Sequence, residues 1–345
     1  MKKNIEYIDS LKIIGAFIIA FYHITGVIGI PNNSFSLTTN IARTLSAIGY
    51  IPVEMFFFIS GYLMVYNYSD KIKKIDFLEY IIKKIGKIYP FLIINIFLCS
   101  LFSIIYYHNF DIYQLIYNLF IFQGGVFPGA WDFRIDIAGG GTWFLTPLFL
   151  SYILFFFISK YKKEETALGT YIAIALLSMM ALKNNFNYPI INGYMLRGLL
   201  GFFAGSIFSS IIKKYGFKIP NFIKVIVLFF ISAYVYIIIS KQYNNTIDFI
   251  IYTDIVFLPC LFLICENVNW FKNILTSTRF KKISSLSMPL FFLNIPVAYF
   301  FKMLITDTFG IVGWGAYVLY FVILIIFSLI FMNLIKLLPK TKNAK

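Results

Sequence analysis

A histidine and a glutamate lie in two consecutive hydrophobic segments of this chain. His23 is in the apolar stretch 11–30, and Glu54 is in the stretch 46–66. If both stretches are antiparallel helices across a membrane, His23 lies roughly 10 Å and Glu54 roughly 12 Å below the same face, at 1.5 Å per residue. A carboxylate next to an imidazole fixes its tautomer and favours its protonated form, which suits a general base. The matched depths therefore predict a catalytic pair of His23 and Glu54.

Two structural alternatives to this pair stay open. His23 could bond a neighbouring helix without taking part in chemistry, and Glu54 could lie nearer the surface in contact with water. An ionisable side chain inside a membrane segment is nevertheless costly, and it is a functional candidate by default.

Three lysines lie toward the opposite end of the predicted helices. Lys84 and Lys87 are three residues apart and so share a helix face. Lys12 precedes His23 on the same predicted helix, and the two residues are roughly 16 Å apart along its axis. Because lysine binds phosphate as a point charge, the pattern favours a cationic entrance for a phosphorylated donor shaped like acyl-coenzyme A. The alternative is that these lysines only mark the cytosolic ends of membrane spans.

The composition excludes a soluble protein. The 345 residues are 60% hydrophobic and 13% charged, against about 45–50% and about 25% in soluble domains. The net charge of +15 does not indicate nucleic acid, because the basic residues fall in short clusters that membrane topology and anionic lipid explain. Three cysteines in apolar segments, Cys99, Cys260 and Cys265, predict buried thiols and neither disulfides nor a metal site.

The fold class that follows is an all-α polytopic membrane protein, with one domain over residues 1–345. Ten apolar runs are long enough to span a bilayer: residues 11–30, 46–66, 88–107, 143–159, 167–183, 194–213, 221–240, 248–265, 286–305 and 315–338. Both termini are expected in the cytosol, because that arrangement places most of the 30 Lys and Arg residues on the cytosolic side. The first run is too long for a cleaved signal peptide and predicts a retained helix.

A further apolar run, residues 112–127, is expected to be interfacial or re-entrant. Counting it as a span would invert every later loop and violate the positive-inside bias. It belongs to the long outer segment 107–142, which also carries Gly139-Gly140-Gly141. Such a loop is expected to cover or line a site, and the alternative is a passive connector.

Five segments, in order along the chain, resemble the acyltransferase 3 family of integral membrane acyltransferases. That family's first helix has a basic residue, ten further residues and then histidine, and Lys12 and His23 hold those places in YIDSLKIIGAFIIAFYH. The other four segments are VEMFFFISGYLMVY with Glu54 and Ser60-Gly61, KKIGKIYPFL with Lys84 and Lys87 before Tyr89-Pro90, GTWFLTPLFLSYIL with Trp143-Phe144-Leu145, and SSLSMPLFFLNIPV. The resemblance covers nearly the whole chain.

Three departures from the family pattern stand out. Positions 12, 84 and 87 carry lysine where arginine is expected, which keeps the charge but loses the bidentate fork. Asn294 stands where the late helix often has a histidine. The chain shows no appended extracytoplasmic hydrolase-like domain, so transfer to the acceptor is expected within the membrane domain.

The resemblance implies an O-acyltransferase of the cell membrane that modifies a sugar hydroxyl of a surface polysaccharide or its lipid-linked precursor. Acyl-CoA, commonly acetyl-CoA, is the implied donor substrate; no permanent cofactor, metal or nucleic acid is expected, and the oligomeric state is open. His23 would be the base with Glu54 as its partner, and Lys12, Lys84 and Lys87 would bind the donor. The candidates for lining the substrate are Ser60, Thr142, Trp143 and Asn294.

Other functions remain open from the sequence. A polysaccharide flippase, exporter or polymerase would share the aromatic-rich spans and lysine-rich loops. Such a protein has no need of a base and a carboxylate at matched depth, which favours the acyltransferase. A non-catalytic family member is the third alternative, because of the lysine and asparagine departures.

Overall fold

The computed structural model of the protein describes residues 6–30, 37–69, 71–122, 141–240 and 246–337. Within these ranges the chain forms helices and no strand, which confirms the predicted all-α class. The helices in chain order are α1 (Glu6–Ile28), α2 (Leu37–Ala47), α3 (Ile51–Tyr68), α4 (Phe77–Tyr107), α5 (Ile112–Leu119), α6 (Leu145–Tyr161), α7 (Glu164–Lys183), α8 (Gly193–Tyr215), α9 (Asn221–Ser240), α10 (Thr246–Tyr252), α11 (Leu258–Asn267), α12 (Asn269–Leu275), α13 (Thr278–Ile283), α14 (Ser287–Phe301), α15 (Asp307–Phe309) and α16 (Gly313–Leu337).

The described helices have the lengths and composition of a polytopic membrane protein. Eight helical segments are long and apolar enough to cross a membrane, and α2 with α3, bent by 45°, makes a ninth if the pair is one span. The predicted span 143–159 falls on α6, whose 17 residues extend about 25 Å, somewhat less than the roughly 30 Å of a bilayer core. The membrane orientation, with both termini in the cytosol, stays a prediction.

Helix α4 begins eleven residues before the predicted start at 88. Its N-cap is Asp76, whose side chain accepts a hydrogen bond from the backbone N–H of Leu78 at 2.9 Å. Such a cap satisfies one of the free amides of the first turn and sets where a helix begins. Lys84 and Lys87 therefore lie inside a continuous helix, which fixes their common face.

The outer segment contains one short helix in its described part. Helix α5 has 8 residues and extends about 12 Å, so it cannot span a membrane, as the sequence predicts. Residues 123–140, with Gly139 and Gly140, lie outside the described residues. The covering role expected of this segment stays a prediction.

Helices α3 and α8 pack against each other at the centre of the molecule. A Cβ atom on Gly61 of α3 would overlap the backbone carbonyl of Phe202, and one on Gly205 of α8 would overlap that of Phe58. Small residues at a membrane helix interface allow this close backbone approach. The two glycines thereby fix how α3 is rotated about its axis and which of its residues face α8.

Helix α14 packs against α1, α4 and α16. Leu290, Leu293 and Val297 of this helix are buried among apolar residues of α1 and α16. On its α4 side, Asn95 donates a side-chain hydrogen bond to the carbonyl oxygen of Phe292 at 2.6 Å. These contacts bring residue 294 beside the second half of α1.

Candidate active site

A cavity of about 650 Å³ lies between α1, α3, α4, α6 and the start of α14. Its charged lining is concentrated at one end, where α1 and α4 begin and α3 ends. The cations there are Lys12, Lys71, Lys84 and Lys87, with Asp9 beside them. The structure therefore brings the three predicted donor-binding lysines into one cavity. It adds Lys71, which the sequence interpretation missed because a basic residue between two spans is accounted for by topology alone.

Lys84 is held against an aromatic wall of this cavity. Its Nζ atom lies 4.1 Å from the ring centre of Tyr68 and 5.3 Å from that of Tyr152. Both rings line the cavity, and cation–π contact keeps the ammonium group there. Tyr152 also shares a side-chain hydrogen bond with Ser60. The predicted lining role of Ser60 agrees with its position in the wall.

Lys83, the neighbour of Lys84, has a different environment. It forms an ion pair with Glu79 one turn earlier on the same helix, and it does not line the cavity. Half of its side chain is exposed. It therefore provides a natural control for the cavity lysines.

His23 is hydrogen bonded to Asn294. The Nδ1 atom of His23 and the Oδ1 atom of Asn294 are 2.5 Å apart, and Asn294 is 1% exposed. Neither residue lines the cavity, but Phe291 does, and its carbonyl oxygen accepts a bond from the Asn294 amide at 2.5 Å. The histidine–asparagine pair thus lies one helical turn beyond the aromatic end of the cavity, away from the lysines.

Glu54 lies at a different centre, and the predicted pairing of His23 with Glu54 is wrong. Arg197 of α8 donates from Nε to Oε1 of Glu54 at 2.7 Å, and its Nη2 atom donates to the same oxygen. Glu54 is fully buried, so the solvated alternative is also wrong. A guanidinium is the stronger partner for a buried carboxylate, because it offers charge and several N–H donors in a fixed geometry.

Asp254 is a second buried carboxylate beside this ion pair. It lies in a π-helical turn, Thr253–Phe257, between α10 and α11, and it is fully buried. Neither of its oxygens has a hydrogen-bond donor among the described residues, and the charges of Glu54 and Arg197 both act on it. The sequence interpretation missed Asp254, although an aspartate within an apolar run is itself a signal.

Thr142 and Trp143 lie beside the cavity without lining it. The Trp143 ring centre is 4.9 Å from the Arg197 guanidinium and 4.6 Å from the Tyr194 ring, and Thr142 is 1% exposed. The next residue, Phe144, does line the cavity. Trp143 therefore connects the Arg197 centre to the cavity wall.

Among the described residues, no three His, Cys, Asp or Glu side chains are grouped so that they could hold a metal ion. The arrangement that the described part of the chain offers is a lysine-lined cavity, a histidine held by an amide, and a buried ion pair. These groups can bind an anionic ligand and accept a proton.

A family model described as an acyltransferase domain matches residues 5–333, nearly the whole chain. The chain belongs to this acyltransferase family. No curated protein and no solved structure matches the chain. The family membership confirms the resemblance seen in the five sequence segments. Together with the apolar helices, it identifies a multi-pass membrane protein of an acyltransferase family.

Proposed function

We propose that this protein transfers an acyl group, commonly acetyl, from cytosolic acyl-CoA to a sugar hydroxyl of a cell-surface polysaccharide or its lipid-linked precursor. The observation that carries the proposal is the cavity with cations at one end and aromatic residues at the other. It leads from the lysines toward Phe291, whose carbonyl oxygen accepts a hydrogen bond from Asn294, the partner of His23. The acyltransferase family supports the reaction class, and the cell membrane is the proposed location.

The donor fits the charge distribution of the cavity. The phosphates of acyl-CoA bind the ammonium groups of Lys12, Lys84 and Lys87, which attract anions without requiring bidentate geometry. The extended arm follows the aromatic wall toward Phe291. Because Lys12 and His23 are on one continuous helix and roughly 16 Å apart along it, an extended donor can contact both ends.

The chemistry assigned to His23 is general-base catalysis. Its imidazole takes the proton of the sugar hydroxyl while the hydroxyl oxygen attacks the thioester carbonyl. A C–O bond forms, the C–S bond then breaks, and the leaving thiolate takes the proton back from the imidazole. The products are an ester and free CoA, so no net proton is gained or lost. Positioned proton transfer of this kind contributes about 10²–10⁴-fold.

Mass analysis of surface glycans tests the proposal. Cells that make this protein should carry an acyl substituent on one glycan, and cells that lack it should not. Supplying the intact protein again should restore the substituent. Identical acylation in both strains, with a glycan instead missing from the surface, would favour a flippase, exporter or polymerase and overturn the proposal.

A further inference from the structure

The amide of Asn294 can adopt only one orientation. Its Nδ2 group donates to the carbonyl oxygens of Leu290 at 3.2 Å and Phe291 at 2.5 Å. A carbonyl oxygen can only accept, so the amino group must face these two atoms. Turning the amide over would place Oδ1 against two acceptors. The side-chain oxygen is therefore the atom that faces α1.

This orientation determines which nitrogen of His23 carries the hydrogen. The Oδ1 atom of Asn294 lies 2.5 Å from Nδ1 of His23, and an amide oxygen is only an acceptor. Nδ1 must then be the donor, and in the neutral ring Nε2 keeps its lone pair. The hydrogen bond at one imidazole nitrogen sets the state of the other.

We propose that Asn294 is a positioning residue, which holds His23 in the tautomer whose Nε2 atom accepts the hydroxyl proton. The proposal rests on the proposed function for its catalytic meaning, but the tautomer itself can be measured without it. Asn294 also holds the ring through the whole cycle, because its oxygen accepts from Nδ1 in both the neutral and the protonated imidazole. The amide does this without a charge, which suits a site inside the membrane.

The backbone of Asn294 is held by a hydrogen bond that does not involve its side chain. Tyr320 of α16 donates to the backbone carbonyl of Asn294 at 3.0 Å. An Asn294→Leu variant therefore keeps this helix contact and a side chain of similar size, but loses the bond to His23. Asn95→Leu is the matched control, because Asn95 is also buried and bonded to α14 yet has a partner other than His23.

The chain has 2 histidines, so nitrogen NMR of histidine-labelled protein can assign the tautomer directly. His108 ends α4 at φ +52°, a conformation that asparagine tolerates, and His108→Asn leaves His23 as the sole signal. In this background the ring should carry hydrogen on Nδ1, and Asn294→Leu should abolish that preference while Asn95→Leu keeps it. A ring with its hydrogen on Nε2 in the starting protein would overturn the proposal, whether or not the protein transfers acyl groups.

Kinetics give a second readout in membranes supplied with acetyl-CoA. Asn294→Leu should lower kcat roughly 10- to 100-fold, because the ring loses the acceptor that sets its tautomer and orientation, with little change in the KM for acetyl-CoA. Asn95→Leu should leave kcat within a fewfold of the original. An unchanged kcat in the Asn294→Leu variant would contradict the positioning role. Absence of transfer by the starting protein, with the expected tautomer present, would instead count against the proposed function alone.

Discussion

Replacing Arg197 with methionine should strongly destabilise the protein. The substitution keeps much of the side-chain length and removes the cation that pairs with Glu54. It leaves Glu54 and Asp254, both fully buried, without that positive charge. Removing one partner of a buried ion pair costs about 3–5 kcal/mol, because the remaining charge is uncompensated. We expect a loss within this range, because Glu54 is fully buried and Arg197 is its hydrogen-bond donor.

Lys213→Met is the matched control on the same helix. Lys213 pairs with Glu164 at 2.9 Å, but their side chains are 43% and 73% exposed, and exposed pairs contribute about 0–1 kcal/mol. Thermal unfolding in detergent can be monitored as the loss of monodisperse protein. Arg197→Met should have a much lower unfolding temperature than Lys213→Met and the unmodified chain. A second variant that also carries Glu54→Gln should recover part of the loss. Equal unfolding temperatures for the two methionine variants would refute the argument that this centre is a stabilising charge pair.

Two further predictions concern helix packing and donor binding. Gly61→Ala should cost about 1–3 kcal/mol in stability, because its Cβ would overlap a backbone carbonyl of α8. Gly169→Ala, where a Cβ meets open space, should be neutral or slightly stabilising in the same unfolding assay. The double change of Lys84 and Lys87 to alanine should weaken binding of radiolabelled acetyl-CoA to membranes, whereas Lys83→Ala should not, because Lys83 lies outside the cavity. Equal losses of acetyl-CoA binding in the two lysine variants would contradict a specific role of Lys84 and Lys87 in donor binding and would favour a role in membrane topology.

The sequence predicts helix positions well in this chain. Hydrophobic run length locates the segments, and three-residue spacing places Lys84 and Lys87 on one face, where they do line one cavity. Depth along a helix says nothing about rotation around its axis, however. His23 and Glu54 were expected to meet because their depths match, but their helices turn them toward different neighbours.

The rotation is fixed by packing between helices that are distant in sequence. On α3, Glu54 precedes Gly61 by seven residues and so lies on the same face of the helix. The close contact of Gly61 with α8 turns this face toward α8. On α8, Arg197 precedes Gly201 by four residues and Gly205 by eight, which again is one face. The spacing of these small residues after an arginine was a usable signal. The orientation of the Asn294 amide could not be predicted from the sequence, because it depends on the positions of carbonyl oxygens in the folded helix.

Transfer of labelled acetyl groups from acetyl-CoA to glycan, in membranes that contain the intact protein, reports directly on the proposed role of His23. If His23 is the base, His23→Ala lowers this transfer by about 10²–10⁴-fold, with the protein still inserted and folded. The control variant His108→Asn should transfer acetyl groups normally, because His108 is an exposed residue at the end of α4. Near-normal transfer by the His23→Ala variant would contradict the claim that His23 is the base.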